Sequence, residues 1–321
     1  FACGGFCIQF GCDWMAFLYA SIAAIIGMRV RAKCNESGLN HYMGIAISAF
    51  IATMLAWAST LLPAEWTSTP WHPLLACALF IVPGVPLINF VDDMLDNYIQ
   101  VGIVRAVNTL LMVSAMAFGI AFAVKLCSIG DFFPTISMVP HHNYLEYAIA
   151  AAISAMGFSM IFNIQRRLLW VVAIGGIIAV CTRNFVNLGP STNNIGLDMG
   201  LVIGSFSGSV LVSLIAIKAV HWFHVPNHVL TIPSVIPMIP GVLMYRMLFG
   251  LINMNVQSID QVTPLMKAIE SGVNSGLVIM CIALGVAIPN IFGRKYIASS
   301  KNKRLAEILK ERKARGKFVE W

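Results

Sequence analysis

Charge is scarce in this sequence. Only 11% of its 321 residues are Asp, Glu, Lys or Arg, where a water-soluble domain carries roughly a quarter. With 58% hydrophobic residues and a mean hydropathy of +0.80, a soluble globule is excluded. Period-two alternation is missing too, which excludes an outer-membrane barrel. Apolar runs of about twenty residues recur instead, each long enough to cross ~30 Å of hydrocarbon as a helix. There is no CxxC pair among the eight cysteines, and Cys3, Cys7 and Cys12 have neither metal-ligand nor disulfide-framework spacing. They read as small buried hydrophobes. No nucleophile elbow, HExxH, phosphate loop or dinucleotide fingerprint occurs, so neither an enzyme nor a cofactor is expected. His221, His224 and His228 are spaced i, i+3, i+7, but Pro226 interrupts them and no carboxylate lies near, so they read as interfacial rather than metal-binding.

What charge there is collects at one end. From Arg294 to Lys317 lie ten of the 21 Lys/Arg, and the tail to Trp321 holds three of the 14 acids, leaving eleven of each elsewhere. The net charge of +7 therefore belongs to the tail. It reads as a cytoplasmic amphipathic helix near anionic headgroups, with Leu305, Ile308 and Leu309 on one face, rather than a nucleic-acid binder. The other end opens "FACGGFCIQF", without an initiator Met or basic flank. That reads as the back half of a spanning helix, with something before it removed.

The pattern predicts an all-α polytopic membrane protein of about ten spans. A partial span at Phe1–Phe10 is followed by spans near Asp13–Met28, Met43–Leu62, Leu74–Leu95 and Val101–Leu126. After a turn-rich connection come Tyr144–Asn163, Leu168–Thr182, Ile195–Ile217, His228–Ile252 and Ala268–Phe292. Placing the tail inside puts Arg29, Arg31, Lys33, Arg166, Arg167 and Lys218 inside and only Lys125, Arg183 and Lys267 outside, as the positive-inside bias requires.

Four blocks recur in order. Phe6, Phe10 and Ile25–Ile26 match Phe158, Phe162 and Ile177–Ile178; "MGIAISAF" from Met43 matches "MGLVIGSF" from Met199; "VPGV" from Val82 matches "IPGV" from Ile239; and "AMAFGIAF" from Ala115 matches "CIALGVAI" from Cys281. This sets Asn108 opposite Asn274. The expected organisation is a five-helix repeat over residues 1–127, a connection over 128–143, a second five-helix repeat over 144–293 and the tail over 294–321. Five is odd, so the second copy enters from the other side, making an inverted repeat.

Both copies carry a break where a span should be continuous: Pro83, Gly84 and Pro86 in the first, Pro237, Pro240 and Gly241 in the second. A proline inside a helix costs about 3 kcal/mol, and lipid offers no water to repair the lost hydrogen bond. Paired interruptions point to a transport site near the midplane; the plainer reading is a pair of structural kinks. Polar residues gather behind the first break: Asn89, Asp92, Asp93 and Asp96, then Arg105 and Asn108. Asn89 and Asp93 share a helix face, and Asp93 with Arg105 is the expected ion pair. The second copy offers Arg246, then Glu270 and Asn274. Carboxylates near fixed cations suit a proton-coupled carrier of zwitterions or anions. For Asp92, Asp96 and Glu270, headgroup-level loops are an equal alternative.

The stretch "VPGVPLINFVDDMLDNYIQVGIVRAVN", Val82 to Asn108, resembles the first motif of the threonine/serine exporter (ThrE) family, and "IPSVIPMIPGVLMYRMLFGL", Ile232 to Leu251, resembles its second. The resemblance spans Phe1 to Phe292. It implies a proton-driven secondary exporter of threonine, serine or related metabolites in the bacterial cytoplasmic membrane, with the C-terminus cytoplasmic. Two-chain members of the YjjP/YjjB type imply succinate as the alternative. Where the family often has Glu after the motif's Arg, this chain has Asn108. The expected partners are a small amino acid or dicarboxylate, the bilayer and further copies of the chain, with the proton gradient as coupling energy. A non-transporting membrane scaffold is the reading from another class.

Overall fold

The computed structural model describes residues 1–61, 66–127, 142–190, 195–252 and 262–314, with only the backbone path from 294 onward. The described residues form helices and turns without strands: α1 (Ala2–Gln9), α2 (Trp14–Glu36), α3 (His41–Trp57), α4 (Pro73–Ala76), α5 (Gly84–Leu95), α6 (Ile99–Leu126), α7 (Tyr144–Ile161), α8 (Leu169–Asn187), α9 (Leu201–Phe223), α10 (Asn227–Val235), α11 (Gly241–Ile252) and α12 (Val262–Ala314). The turn-rich connection, including His141, falls largely outside the described residues, as does the tail beyond Ala314.

Seven of the described helical stretches are long and apolar enough to cross a membrane, and an eighth counts if Asn227–Met238 and Gly241–Leu248, bent by 62°, form one broken span. Ten spans are therefore not confirmed. The Phe1–Phe10 run, expected as a partial span, yields an eight-residue helix, and Leu74–Leu95 is divided into α4, a 3-10 turn at Leu79–Ile81 and α5. The division includes the expected break, where Pro83 lacks the donor N–H that a continuing helix needs. The Ile195 start is also corrected, because residues 197–199 turn back onto α8. Their N–H groups donate to the carbonyls of Phe185, Leu188 and Val186, satisfying its C-terminus. α12 runs 53 residues as one helix, through the last expected span and into the basic tail.

Neighbour relations recur in the two halves. Antiparallel α2 and α3 are matched by α8 and α9, and antiparallel α5 and α6 by α11 and α12. α3 runs parallel to α6, with Gly119 against the Ala46 carbonyl; α9 runs parallel to α12, with Gly285 against Phe206 and Ser209. Small residues make the close approaches in both pairs: Gly27 lies against Ala52 and Gly44 against Cys34, and Gly204 lies against Arg183 and Gly208 against Ala179.

The ends are tied by polar contacts. Asp13, the N-cap of α2, accepts from Ala16 N–H at 2.7 Å, Thr67 Oγ1 at 2.8 Å and Ser68 N–H at 2.7 Å. Partial burial works to raise its pKa, but these bonds outweigh it and hold the carboxyl below its usual range.

Two outcomes follow from this packing. A side chain at Gly119 would overlap the Ala46 backbone carbonyl, which cannot rotate away. Gly119→Val should therefore destabilise the detergent-solubilised protein by about 1–3 kcal/mol in thermal unfolding. Asp13 stabilises the fold in its ionised form, fully so above the unfolded carboxylate pKa of about 4. The melting-temperature advantage of the parent over Asp13→Ala should be complete at pH 7 and shrink as pH falls through the depressed folded pKa.

Candidate functional site

The two breaks are copies of one another, bond for bond. At the first, Val82 N–H donates to Leu79 C=O at 3.1 Å, Gly84 N–H to Val82 C=O at 2.8 Å and Leu87 N–H to Pro83 C=O at 3.0 Å. At the second, Ile239 N–H donates to Ile236 C=O at 2.9 Å, Gly241 N–H to Ile239 C=O at 2.9 Å and Met244 N–H to Pro240 C=O at 3.2 Å. Pro83, at φ −78° and ψ 66°, closes an inverse γ-turn. Pro86 sits in the first turn of α5, where the missing N–H has no intrahelical partner to lose.

The breaks pack back to back. Gly84 faces Ile236 and Ile239, while Gly241 faces Leu79 and Val82. Phe6 and Phe158 meet edge to face beside them, ring centroids 5.7 Å apart. Together these residues enclose a void of about 10 Å³ with apolar walls. So small an apolar space stays dry, and the centre of the molecule is a closed seal.

On the tail side of that seal lies a cavity of about 420 Å³. Its walls come from α5 (Val85, Asn89, Asp92, Asp93), α6 (Arg105), the turn after α7 (Phe162, Ile164) and α10 (His228, Val229, Ile232, Pro233). α5 buries Leu87, Ile88 and Val91 in the core, which leaves Asn89, Asp92 and Asp93 on the face towards the cavity. Arg105 Nη1 lies 2.7 Å from Asp93 Oδ2, with the two side chains 42% and 23% exposed. His228 Nε2 lies 3.9 Å from Asp92 Oδ2. Both carboxylates stand in the last turn of α5, where the helix dipole disfavours negative charge, so Arg105 opposite Asp93 carries more weight than its distance alone suggests.

The candidate residues divide cleanly. Asn89, Asp92, Asp93 and Arg105 share the cavity; Asp96 caps the C-terminus of α5. Arg246 lies part-buried on α11 and is not among the lining residues. Asn108 is exposed and accepts from Tyr42 Oη at 2.7 Å. Glu270 and Asn274 are exposed on α12, towards the end away from the tail. The sequence reading missed His228 as a cavity residue. The signal available was its place five residues before Pro233, in the half-helix that leads into the second break.

Comparison with known proteins finds two matches along the chain. A family model described as "Putative threonine/serine exporter" matches residues 1–127, and one described as "Threonine/Serine exporter, ThrE" matches residues 147–292. The "Probable succinate transporter subunit YjjP" of Klebsiella aerogenes is 29% identical over 125 residues, 39% of this chain and 48% of the relative. The matched region thus spans about half the length of that relative. No solved structure matches the chain. Both halves carry a model of one family in the order of the two broken helices, and the chain belongs to the threonine/serine exporter family.

Proposed function

We propose that the chain is a proton-coupled secondary exporter of small zwitterionic amino acids, threonine and serine foremost, working by alternating access. The observation that carries this reading is the cavity beneath the paired breaks, where Asp92 and Asp93 face His228 and Arg105. A zwitterion can offer its ammonium to the carboxylates and its carboxylate to Arg105. A dianion meets two carboxylates of its own sign. The volume, about 420 Å³, lies towards the small end of ligand pockets, which run from about 300 to 1,000 Å³.

Asp93 is the leading proton-linked group. An arriving substrate carboxylate competes with Asp93 for Arg105, which ties substrate binding to that carboxylate. Asn89 adds an amide for orientation. Arg246, Asn108, Glu270 and Asn274 have no place in the cavity as it stands. In the exchanged state Arg246 would line its counterpart, because the break-to-break register sets Arg246 opposite Asn89.

The alternation itself rests on reading 1–127 and 144–293 as inverted five-segment repeats. Supporting it are the recurring helix pairings, the identical hydrogen bonds of the breaks and their mutual packing. In this reading the basic tail lies in the bacterial cytoplasm, and the cavity opens inward. Succinate export is the second reading, favoured by the name of the relative that matches the first half.

Liposomes containing the purified protein decide between these readings. Under an imposed pH gradient, threonine or serine flux should exceed succinate flux, and counterflow should be driven by threonine. Flux of succinate alone would replace the first reading with the second, and flux of neither would remove both. Asp93→Asn should abolish gradient-driven export while the protein still inserts; unimpaired export by that variant would overturn its role.

A further inference from the structure

The end of the bundle away from the tail holds a cation that the cavity does not account for. Arg183 lies one turn before the end of α8, inside the spanning stretch Arg166–Asn187. Its Nε and Nη2 donate to Asn184 Oδ1 at 3.1 and 3.0 Å, and Nη2 reaches Gln9 Oε1 on α1 at 3.4 Å. Both acceptors are neutral. Among the described residues no carboxylate pairs with Arg183: the groups that act on it electrostatically are Tyr147 and Cys181, and nearby Glu146 is taken up by His142. An ionised side chain in a spanning helix calls for a compensating charge. Arg105, at the other end, has one in Asp93.

Two more donors stand beside Arg183. Gln9 is 9% exposed, and its Nε2 has no hydrogen-bond partner; Tyr147 is 1% exposed, and its Oη lies against the backbone N–H of His142 with no acceptor for its own proton. Buried donors without acceptors are rare and call for an explanation. Here the explanation has a chemical pattern. The Nη1 end of the guanidinium, an amide NH₂ and a phenol are the donors left to offer one group, while Asn184 and the Gln9 carbonyl hold the Nε–Nη2 edge in place. The matching ligand is a carboxylate. Gln9 belongs to the first half of the chain and the other three residues to the second, so the cluster bridges the same seam as the cavity, at the opposite end.

We propose that Arg183, Gln9 and Tyr147 form a carboxylate-binding subsite on the far side of the central seal, occupied by substrate as it leaves or enters there. The proposal rests on the exporter reading. Unlike the cavity, the cluster offers no acid to an ammonium, so it holds only the carboxylate end and does not distinguish an amino acid from a dicarboxylate.

The test is transport from each face of proteoliposomes of uniform orientation. Arg183→Gln should raise the KM for threonine from the Arg183 face at least tenfold and leave the KM from the tail face within twofold. Gln9→Ala and Tyr147→Phe should raise the first KM severalfold, and Arg183→Lys, which keeps the charge but loses the fork, should fall between. Equal changes from both faces, or none, in variants that insert and melt like the parent would overturn the subsite. Should the parent move neither threonine nor succinate, the exporter reading fails by itself. Calorimetric titration of succinate into the purified protein then decides the subsite. Binding that is lost in Arg183→Gln but kept in Lys267→Gln, which removes an exposed cation at the same end, supports it; binding indifferent to Arg183 overturns it.

Discussion

A backbone amide in hydrocarbon must find its acceptor within the protein, and the rest of this structure is arranged around two places where the regular acceptor is gone. At Val82–Gly84 and at Ile239–Gly241 the chain gives up helical bonds and recovers them as short-range turns. The turns are then shielded from lipid by each other, through Gly84, Gly241 and their isoleucine, leucine and valine neighbours. Neither break has that shelter without the other. Back-to-back packing is therefore the condition for having half-helices at all, and it fixes where α5 and α11 begin.

The half-helices in turn decide where charge can be carried. α5 is short enough for its last turn to sit at the rim of the core, so Asp92 and Asp93 reach a cavity instead of lipid. α6 returns beside it and delivers Arg105; α10 begins at the same level with His228. Opposite charges come together here from three helices because each helix terminates or starts at one depth. Above this level the wall is apolar, and Phe6 against Phe158 completes it. A polar chamber on one side and a dry partition above it are the two parts that access from alternate sides needs.

Much of this was legible in the residues. Pro83–Gly84 and Pro240–Gly241 announce themselves because no other residue types stop a helix so reliably, and Asp93 stood out because an acid in an apolar run demands a partner. Facing was not legible. Helices that are apolar on all sides carry no stripe to say which side meets the protein, so Asn108, Glu270 and Asn274 looked equivalent to Asn89 although they point away. Gln9 and Arg183 stand 174 positions apart and meet only through tertiary packing, which no spacing rule anticipates.

The unbroken α12 has a mechanical corollary. Its 53 residues make a rod about 80 Å long, of which some 30 Å suffices to cross the bilayer. Its inner portion packs on α9, α11 and α5, so it is seated against both halves of the molecule. The extension beyond Gly293 is about 30 Å long, so a tilt of about 10° at its root would sweep the free end through roughly 5 Å. The basic extension is thus a lever arm, which converts ångström-scale rearrangement within the bilayer into a displacement visible in the aqueous phase.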